Sequence, residues 1–327
     1  MSITSPSKVN LGLFPTPITK LSRLSSLLNG PEIFMKRDDL SGLALGGNKT
    51  RKLEYLFYDA ITKGCDTVVT AGAAQSNHCR QTAAAAALLH KSCHLVLGGE
   101  PPDTANGNLM LDKLFGSQVH WRGVHRKGED IPEIVENLKR EGSQPYVIPY
   151  GGSNEIGAYG FVHAMAELEM QLDTSAITHI VFASSSGGTH AGMMLGKVLL
   201  HKAYRLIGIN IDKGESNTIP FGDFIVELAN RTSLSINSDR RFTAEELILN
   251  GDYVGDGYGV IGELEREAIS LTAENEAILL DPVYTGRAMG GLIDMIRGGE
   301  FNKTDKVLFW HTGGVPALFA YADSLDG

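Results

Sequence analysis

The chain alternates short apolar runs with longer stretches in which apolar residues recur every three or four positions. One such stripe predicts a helix over 48–63, and its members are Leu53, Leu56, Phe57 and Ala60. Further helices are predicted around the alanine run at 83–87 and over 106–115, 131–141, 155–171, 190–200, 264–273 and 286–297. Short apolar runs predict strands over 33–36, 67–70, 94–97, 118–121, 146–148, 178–183, 205–211 and 306–311. The alternation predicts an α/β fold of mostly parallel sheets flanked by helices.

Length and charge narrow the possible classes of protein. A chain of 327 residues suits two domains at about 150 residues each. The net charge is −9 and no basic run tracks a phosphate backbone, which argues against a nucleic-acid partner. Residues 1–10 lack the apolar core of a secretory signal, and no stretch reaches the roughly 18 apolar residues of a spanning helix. We therefore expect a cytoplasmic protein that needs no membrane.

The three cysteines, Cys65, Cys79 and Cys93, match no zinc-binding spacing. We expect them to be free thiols in a reducing compartment, and the sequence assigns no metal.

A serine- and glycine-rich segment, 184–189, follows an apolar strand and precedes a helix. Small residues let the backbone wrap an anion, and the N–H groups of a helix N-terminus point at it. The segment lacks both the G-x-G-x-x-G order and the lysine of a Walker A loop, so a single phosphate fits better than a pyrophosphate. An ordinary strand-to-helix turn with a serine cap is the alternative.

A second segment, 45–53, turns sharply at Gly46 and Gly47 and places three cations in one helical turn. A cation in the first turn opposes the helix dipole, which indicates that at least one of them has a task. Lys49 and Lys52 share a helix face. A partly buried lysine near a positive helix end has a lowered pKa, which suits Schiff-base chemistry. A basic, solvated helix start is the alternative.

Three other segments are weaker by themselves. Ser76 can cap the helix after the strand at 67–70 through its hydroxyl, and His78 alone is typical of a satisfied polar residue. Tyr284 can belong to a core and Thr285 to a cap, while Tyr258 stands in a glycine-rich segment typical of a surface turn.

Together and in this order, the segments resemble the tryptophan-synthase-β-like, fold type II, pyridoxal-phosphate enzymes. The resemblance is closest to the group of D-cysteine desulfhydrases and 1-aminocyclopropane-1-carboxylate deaminases. It is carried by KRDD (36–39), GGNKTRKLEY (46–55), QSNH (75–78), SSSGGTHAG (184–192), LLDPVYTG (279–286) and HTGGVPALFAY (311–321).

The resemblance implies pyridoxal 5'-phosphate as cofactor and a small amino acid as substrate. It implies that Lys49 links to the cofactor as a Schiff base, that Asn77 bonds the phenolic oxygen, and that Thr285 meets the pyridine nitrogen. The other cofactor-binding residues are Asn48, Ser185, Ser186, Gly187, Gly188, Thr189 and Thr312. The substrate-binding residues are Ser76, Asn77, His78, Tyr258 and Tyr284, and the catalytic residues are Lys49, Ser76, Tyr258 and Tyr284.

Position 285 separates the two activities within the group. The cyclopropane deaminases are similar in this segment but carry a glutamate after the tyrosine, and a carboxylate there keeps the ring nitrogen protonated. Thr285 cannot hold a proton there against water, so it favours β-elimination of a good leaving group. The sequence thus predicts a D-cysteine desulfhydrase, which converts D-cysteine and water to pyruvate, hydrogen sulfide and ammonia.

Three alternatives stay open. The chain could be a 1-aminocyclopropane-1-carboxylate deaminase or a lyase for L-cysteate or D-serine. It could be a non-catalytic cofactor-binding protein, although an intact Lys49 and the tyrosines argue against that. A nicotinamide-dependent oxidoreductase is disfavoured by the missing fingerprint.

The resemblance also implies a homodimer and two domains, a large one (1–50 plus 158–327) and a small one inserted in it (51–157).

Overall fold

The computed structural model describes residues 6–212 and 219–325. The strands are β1 (Ile18–Lys20), β2 (Glu32–Arg37), β3 (Thr67–Ala73), β4 (Ser92–Gly98), β5 (Gln118–Trp121), β6 (Pro145–Val147), β7 (His179–Ser184), β8 (Arg205–Asn210), β9 (Leu249–Asn250) and β10 (Lys306–His311). The helices are α1 (Ser22–Leu28), α2 (Lys49–Thr62), α3 (Asn77–Leu88), α4 (Gly107–Leu114), α5 (Ile131–Arg140), α6 (Glu155–Gln171), α7 (Gly188–Leu199), α8 (Phe221–Ser235), α9 (Glu263–Glu276), α10 (Thr285–Arg297), α11 (Pro316–Ala320) and α12 (Ala322–Leu325).

The strands form two sheets. The first has the order β1-β2-β10-β7-β8-β9, and only the edge strand β1 is antiparallel to its neighbour. The second has the order β5-β4-β3-β6 and is wholly parallel. The predicted α/β class with mostly parallel sheets is therefore confirmed. All strands of the second sheet lie within 67–147, and the domain boundaries at 51 and 157 stay a prediction.

The six-stranded sheet buries both of its faces. Along β7, Ile180 and Phe182 enter the core on one side, and Val181 enters the core on the other side. Along β10, Leu308 and Trp310 enter the same core as Ile180 and Phe182, and the residue between them enters the core on the other side. Successive side chains of a strand point to opposite faces, so a strand covered by helices on both sides reads as an uninterrupted apolar run. Each fully buried side chain of this size contributes about 1.5–3 kcal/mol.

The four-stranded sheet follows the same rule on a smaller scale. Val68 packs against the core under α2 and α3, whereas its neighbour Val69 packs against α5. The face that α5 buries carries Ile131, Ile134 and Leu138, at helical spacing. Because every central strand is covered on both sides, functional groups of this fold lie at the strand ends, where the chain turns into a helix.

A buried cluster of charges fixes the start of α2 against the first sheet. The Arg51 guanidinium donates to Asp38 at 2.8 Å and to Glu167 at 2.9 Å, and the Lys36 amine donates to Glu167 at 2.5 Å. Two cations and two carboxylates balance one another. Burial raises the pKa of Glu167 while Arg51 and Lys36 lower it, and the net result is about 2. Removing one partner would leave an uncompensated buried charge, which costs about 3–5 kcal/mol.

The sequence predictions missed β1, α1, α8, β9 and the two short C-terminal helices. Part of the segment used to argue against a secretory signal, residues 1–5, lies outside the described residues. In the described part of the chain, no helix has the length and apolarity needed to cross a bilayer.

Candidate active site

One cavity lies where the carboxyl ends of β7 and β10 meet the start of α2. Its lining includes the predicted residues Asn48, Lys49, Asn77, Ser185, Ser186, Gly187, Thr189, Tyr284 and Thr312. Ala183, Ser184 and His190 complete it. The lining does not include Ser76, His78, Gly188, Tyr258 or Thr285. Residues more than 260 positions apart in sequence thus face one space, as expected for strand-end loops of a parallel sheet.

The turn after β7 forms a cup for an anion. Gly187 has φ +82°, a left-handed conformation that favours glycine, and α7 begins at the next residue. A Cβ on Gly188 would lie 2.8 Å from the Ser153 hydroxyl and 2.9 Å from the Lys52 amine. The Ser153 hydroxyl in turn donates to the Ser186 hydroxyl at 2.9 Å. Hydroxyls, a helix N-terminus and a lysine therefore converge on the same point.

Lys49 reaches the edge of this cup. Its amine lies 3.3 Å from the Gly151 carbonyl and 3.5 Å from the Ser186 hydroxyl. Burial lowers the pKa of Lys49 to about 8. A primary amine with such a pKa is partly neutral near physiological pH, which is the form that attacks a carbonyl.

Lys52 lies deeper, and sequence reasoning gave it no role. Its side chain is wholly buried, and its amine donates to the Gly151 carbonyl at 3.1 Å and to the Ser153 hydroxyl at 3.2 Å. Burial, and then the charge of Lys49, lower the pKa of Lys52 well below its usual value. Within residues 6–212 and 219–325, no carboxylate forms an ion pair with either lysine. An anion in the cup would supply the missing negative charge.

The three cations at the start of α2 therefore divide their tasks. Arg51 belongs to the buried charge cluster, away from the cavity, whereas Lys49 lines the cavity and the Lys52 amine lies behind it, close to Gly188. The expectation that at least one first-turn cation has a task agrees with this arrangement. The only sequence signal for Lys52 was its position one turn after Lys49.

The start of α3 presents Asn77 to the cavity and holds its two neighbours inside the protein. The Ser76 hydroxyl caps the helix by accepting from the Cys79 N–H at 3.2 Å, as predicted. His78 is buried, and its Nε2 lies 2.8 Å from the Thr70 hydroxyl. Burial, and then the nearby lysines, lower the pKa of His78 well below its usual value, so the imidazole is neutral.

The two predicted tyrosines form a pair. The Tyr258 and Tyr284 hydroxyls lie 2.6 Å apart, and their rings meet edge to face. Burial raises the pKa of both phenols well above the usual range, so both are neutral and one hydroxyl donates to the other. Arg126, which sequence reasoning missed, lies with its guanidinium 4.3 Å from the Tyr258 ring and donates to Asp212 at 2.6 Å. No local motif marks Arg126, because its neighbours come from distant parts of the chain.

Thr285 lies behind the cavity instead of at its surface. Its side chain is wholly buried, and its hydroxyl lies 2.7 Å from the Asp281 carboxylate, to which it donates. The same hydroxyl accepts from the Asp281 N–H at 2.7 Å. A hydroxyl has a single proton, so in this arrangement the proton of Thr285 is already used. Thr189 and Thr312, the latter directly after β10, are the threonines that line the cavity.

Comparison with known proteins agrees with this geometry. Residues 9–313 match the family described as pyridoxal-phosphate dependent enzyme. The chain belongs to this family. Two relatives, both D-cysteine desulfhydrases from strains of Klebsiella pneumoniae, are 44% and 43% identical over 314 residues, which is 94% of this chain and 94% of each relative. A crystal structure of an ACC deaminase homologue aligns with a TM-score of 0.91 and 38% identity over 99% of this chain and 96% of its own.

The pyridoxal-phosphate enzyme family, the fold type and the cofactor expected from the sequence are thereby confirmed. The cavity fits the cofactor on independent grounds, because a neutral-prone amine lies beside a cup that combines hydroxyls, a helix N-terminus and the buried Lys52. An aldehyde and a phosphate are the two groups that such an arrangement would hold.

Proposed function

We propose that this enzyme is a D-cysteine desulfhydrase, which converts D-cysteine and water to pyruvate, hydrogen sulfide and ammonia. The observation that carries the proposal is the Lys49 amine, of lowered pKa, at the rim of an anion cup. The D-cysteine desulfhydrases that are 44% and 43% identical over nearly the full length direct the choice of substrate.

In this proposal Lys49 forms the covalent link to the cofactor, and Lys52 with Ser185, Ser186 and the α7 N-terminus holds the phosphate. Asn77 donates to the phenolic oxygen. Pyridoxal phosphate, when bound, draws electrons away from the substrate Cα. The residues of the chain place the substrate and move protons.

Two groups of residues share the proton transfers. The Lys49 amine, released by the substrate amine, is suited to accept the Cα proton because its pKa is about 8. Tyr284 lines the cavity as a neutral phenol, and we place it where its hydroxyl donates a hydrogen bond to the departing sulfide. The Ser76 hydroxyl accepts the α3 cap hydrogen bond and keeps its own proton for a relay, and we place Ser76, Asn77 and His78 near the substrate carboxylate.

The nearest competing function is 1-aminocyclopropane-1-carboxylate deamination. The structural likeness to an ACC deaminase homologue favours it. Against it, position 285 carries a threonine whose proton is directed to Asp281, so the site lacks the carboxylate that the deaminases place after the tyrosine.

A parallel substrate panel separates the possibilities. Pyruvate release is measured from D-cysteine, L-cysteine, 1-aminocyclopropane-1-carboxylate, L-cysteate and D-serine, with Lys49→Ala as the inactive control. We expect D-cysteine to have the highest kcat/KM. A higher kcat/KM for another member of the panel would reassign the substrate, and bound cofactor without turnover of any member would support a non-catalytic protein.

Four wider expectations accompany the proposal. We propose a small domain at 51–157, supported by the strands of the second sheet, which all lie within 67–147. We also propose a homodimer in the cytoplasm, with no nucleic-acid partner. Size-exclusion chromatography with light scattering tests the dimer.

A further inference from the structure

Asn77 has an amide whose orientation is fixed by its neighbours. Its Oδ1 lies 3.2 Å from a nitrogen of the Arg80 guanidinium and 2.9 Å from Asn108 Nδ2. An arginine side chain has only donors, so the Asn77 atom that faces Arg80 must be the oxygen. The amide NH2 therefore points the other way, and a Cβ on Gly314 would lie 2.6 Å from it.

Asn108 is oriented by the same arginine. Its Oδ1 accepts from Arg80 at 2.7 Å, which turns its NH2 toward Asn77 Oδ1 and toward the Gln75 carbonyl at 2.8 Å. The Gln75 side chain in turn accepts from the Asn108 N–H at 2.8 Å, which fixes the start of α4. Every donor and acceptor in this chain of contacts follows from the position of one guanidinium.

Arg80 is unusual as a structural residue because it is wholly buried on α3. Its other terminal nitrogen donates to the Gly46 carbonyl at 2.6 Å, in the turn before Lys49. In the described ranges 6–212 and 219–325 no carboxylate lies within ion-pair distance of it. Burial lowers the pKa of Arg80 to about 10, so the group is still a cation at neutral pH. A buried cation without an ion pair is costly, and the charges of the more distant Asp112 and Asp281 offset only part of the burial effect on its pKa.

We propose that Arg80 and Asn108 are positioning residues that lock the Asn77 amide with its NH2 group toward the cofactor and strengthen that group as a donor. A cation bonded to the amide oxygen polarises the amide, and hydrogen bonds arranged in series reinforce one another. The inference rests on the proposed function, in which Asn77 bonds the phenolic oxygen of the cofactor. Arg80 acts through Asn77 and does not touch the cofactor.

The test is a double-mutant cycle on the refolded or reconstituted full chain. Arg80→Met, Asn77→Ala and the double variant are stripped of cofactor and titrated with pyridoxal phosphate, and the dissociation constant is measured. Arg80→Met should weaken binding about tenfold or more in the parent chain, since a charge-assisted network is lost. In the Asn77→Ala background the same change should alter binding by no more than about twofold.

The absorption spectrum provides a second readout that loss of stability alone would not move. Arg80→Met should change the ratio of the visible to the near-ultraviolet cofactor band at a fixed pH, and Arg80→Lys should restore it in part. Asn108→Leu removes one of the two donors to Asn77 and carries the test should Arg80→Met fail to fold. Thr82→Val is the matched control, because Thr82 is a buried residue of α3 whose hydroxyl has no partner within the described residues.

The inference would be overturned if the effects of Arg80→Met and Asn77→Ala on cofactor binding were additive. It would also be overturned if the Arg80 and Asn108 variants both had the absorption spectrum of the parent. Failure of the proposed function is read separately, from borohydride reduction of the parent holoenzyme. If the label is on Lys49 and the cycle is additive, the network is wrong and the proposed function stands.

Discussion

Replacing Lys52 with methionine should have opposite effects on the cofactor-free protein and on cofactor binding. The Lys52 side chain is wholly buried, and among the described residues the hydrogen-bond partners of its amine are neutral oxygens, Gly151 O and Ser153 Oγ. In the absence of an anion this charge is a cost to folding. With a phosphate in the cup, the same charge is opposed by a negative partner.

The magnitude follows from the Coulomb attraction between the buried amine and a phosphate in the cup. Opposite unit charges about 4 Å apart attract by about 4 kcal/mol at an effective dielectric constant of about 20. Desolvation of the amine, which also lowers the pKa of Lys52, offsets part of this attraction. We expect a net loss of about 2 kcal/mol, or about 30-fold weaker cofactor binding, in Lys52→Met.

The sign of the pH dependence gives a second observable. The pKa of Lys52 is lowered in the folded chain, whereas in the unfolded chain it has its usual value of 10.5. At pH values between these two pKa values, the Lys52 amine is protonated in the unfolded chain and neutral in the folded chain. The stability of the cofactor-free protein therefore rises with pH in this range, and Lys52→Met should reduce that slope.

The assay combines cofactor titration with urea unfolding of the cofactor-free protein at several pH values. Lys63→Met is the control, because Lys63 directly follows α2 and its side chain is 59% exposed. Equal cofactor affinity in Lys52→Met and in the parent would refute the assignment of Lys52 to the phosphate. A cofactor-free protein that is less stable at neutral pH would refute the view of Lys52 as an uncompensated charge.

Three further perturbations follow. Burial raises the pKa of Asp112 to about 8, so the folded chain keeps a proton that the unfolded chain loses near pH 4. The free energy of unfolding should therefore fall as the pH rises between about 4 and 8. Urea unfolding should show that this pH dependence is lost in Asp112→Asn. Gly188→Ala would bring a Cβ within 3 Å of Ser153 and Lys52, so cofactor binding should weaken about tenfold. Unchanged affinity would show that the phosphate is not bound at this turn. Thr285→Glu should raise cyclopropane deamination relative to D-cysteine turnover, and an unchanged ratio would contradict the role given to position 285.

Much of the fold was predictable because the parallel strands are covered on both faces. The predicted strand at 178–183 contains an unbroken apolar run, 180–183, for that reason, and β7 covers nearly the same residues, His179–Ser184. The helix α8 was missed although Ile225, Leu228 and Ala229 are buried on one face of it. That spacing was visible in the sequence, but polar residues interrupt the stripe and no clear cap precedes it.

The candidate site was predictable where a local motif carries the chemistry. Gly187 needs a left-handed conformation, and Lys49 follows a glycine pair, so each leaves a trace in the sequence. Arg80 leaves none and Lys52 leaves only its spacing from Lys49, because their roles depend on burial and on partners from distant segments. The role of Thr285 at the pyridine nitrogen stays a prediction, and the structure adds that its hydroxyl donates to Asp281, a partner that the motif alone does not reveal.

The most direct measurement is borohydride reduction of the holoenzyme, followed by proteolysis and mass spectrometry of the labelled peptide. Our account predicts a single pyridoxyl group on the Lys49 side chain and loss of that label, together with the visible absorption band, in Lys49→Ala. Reduced cofactor on Lys52, or on no lysine of the chain, would contradict it.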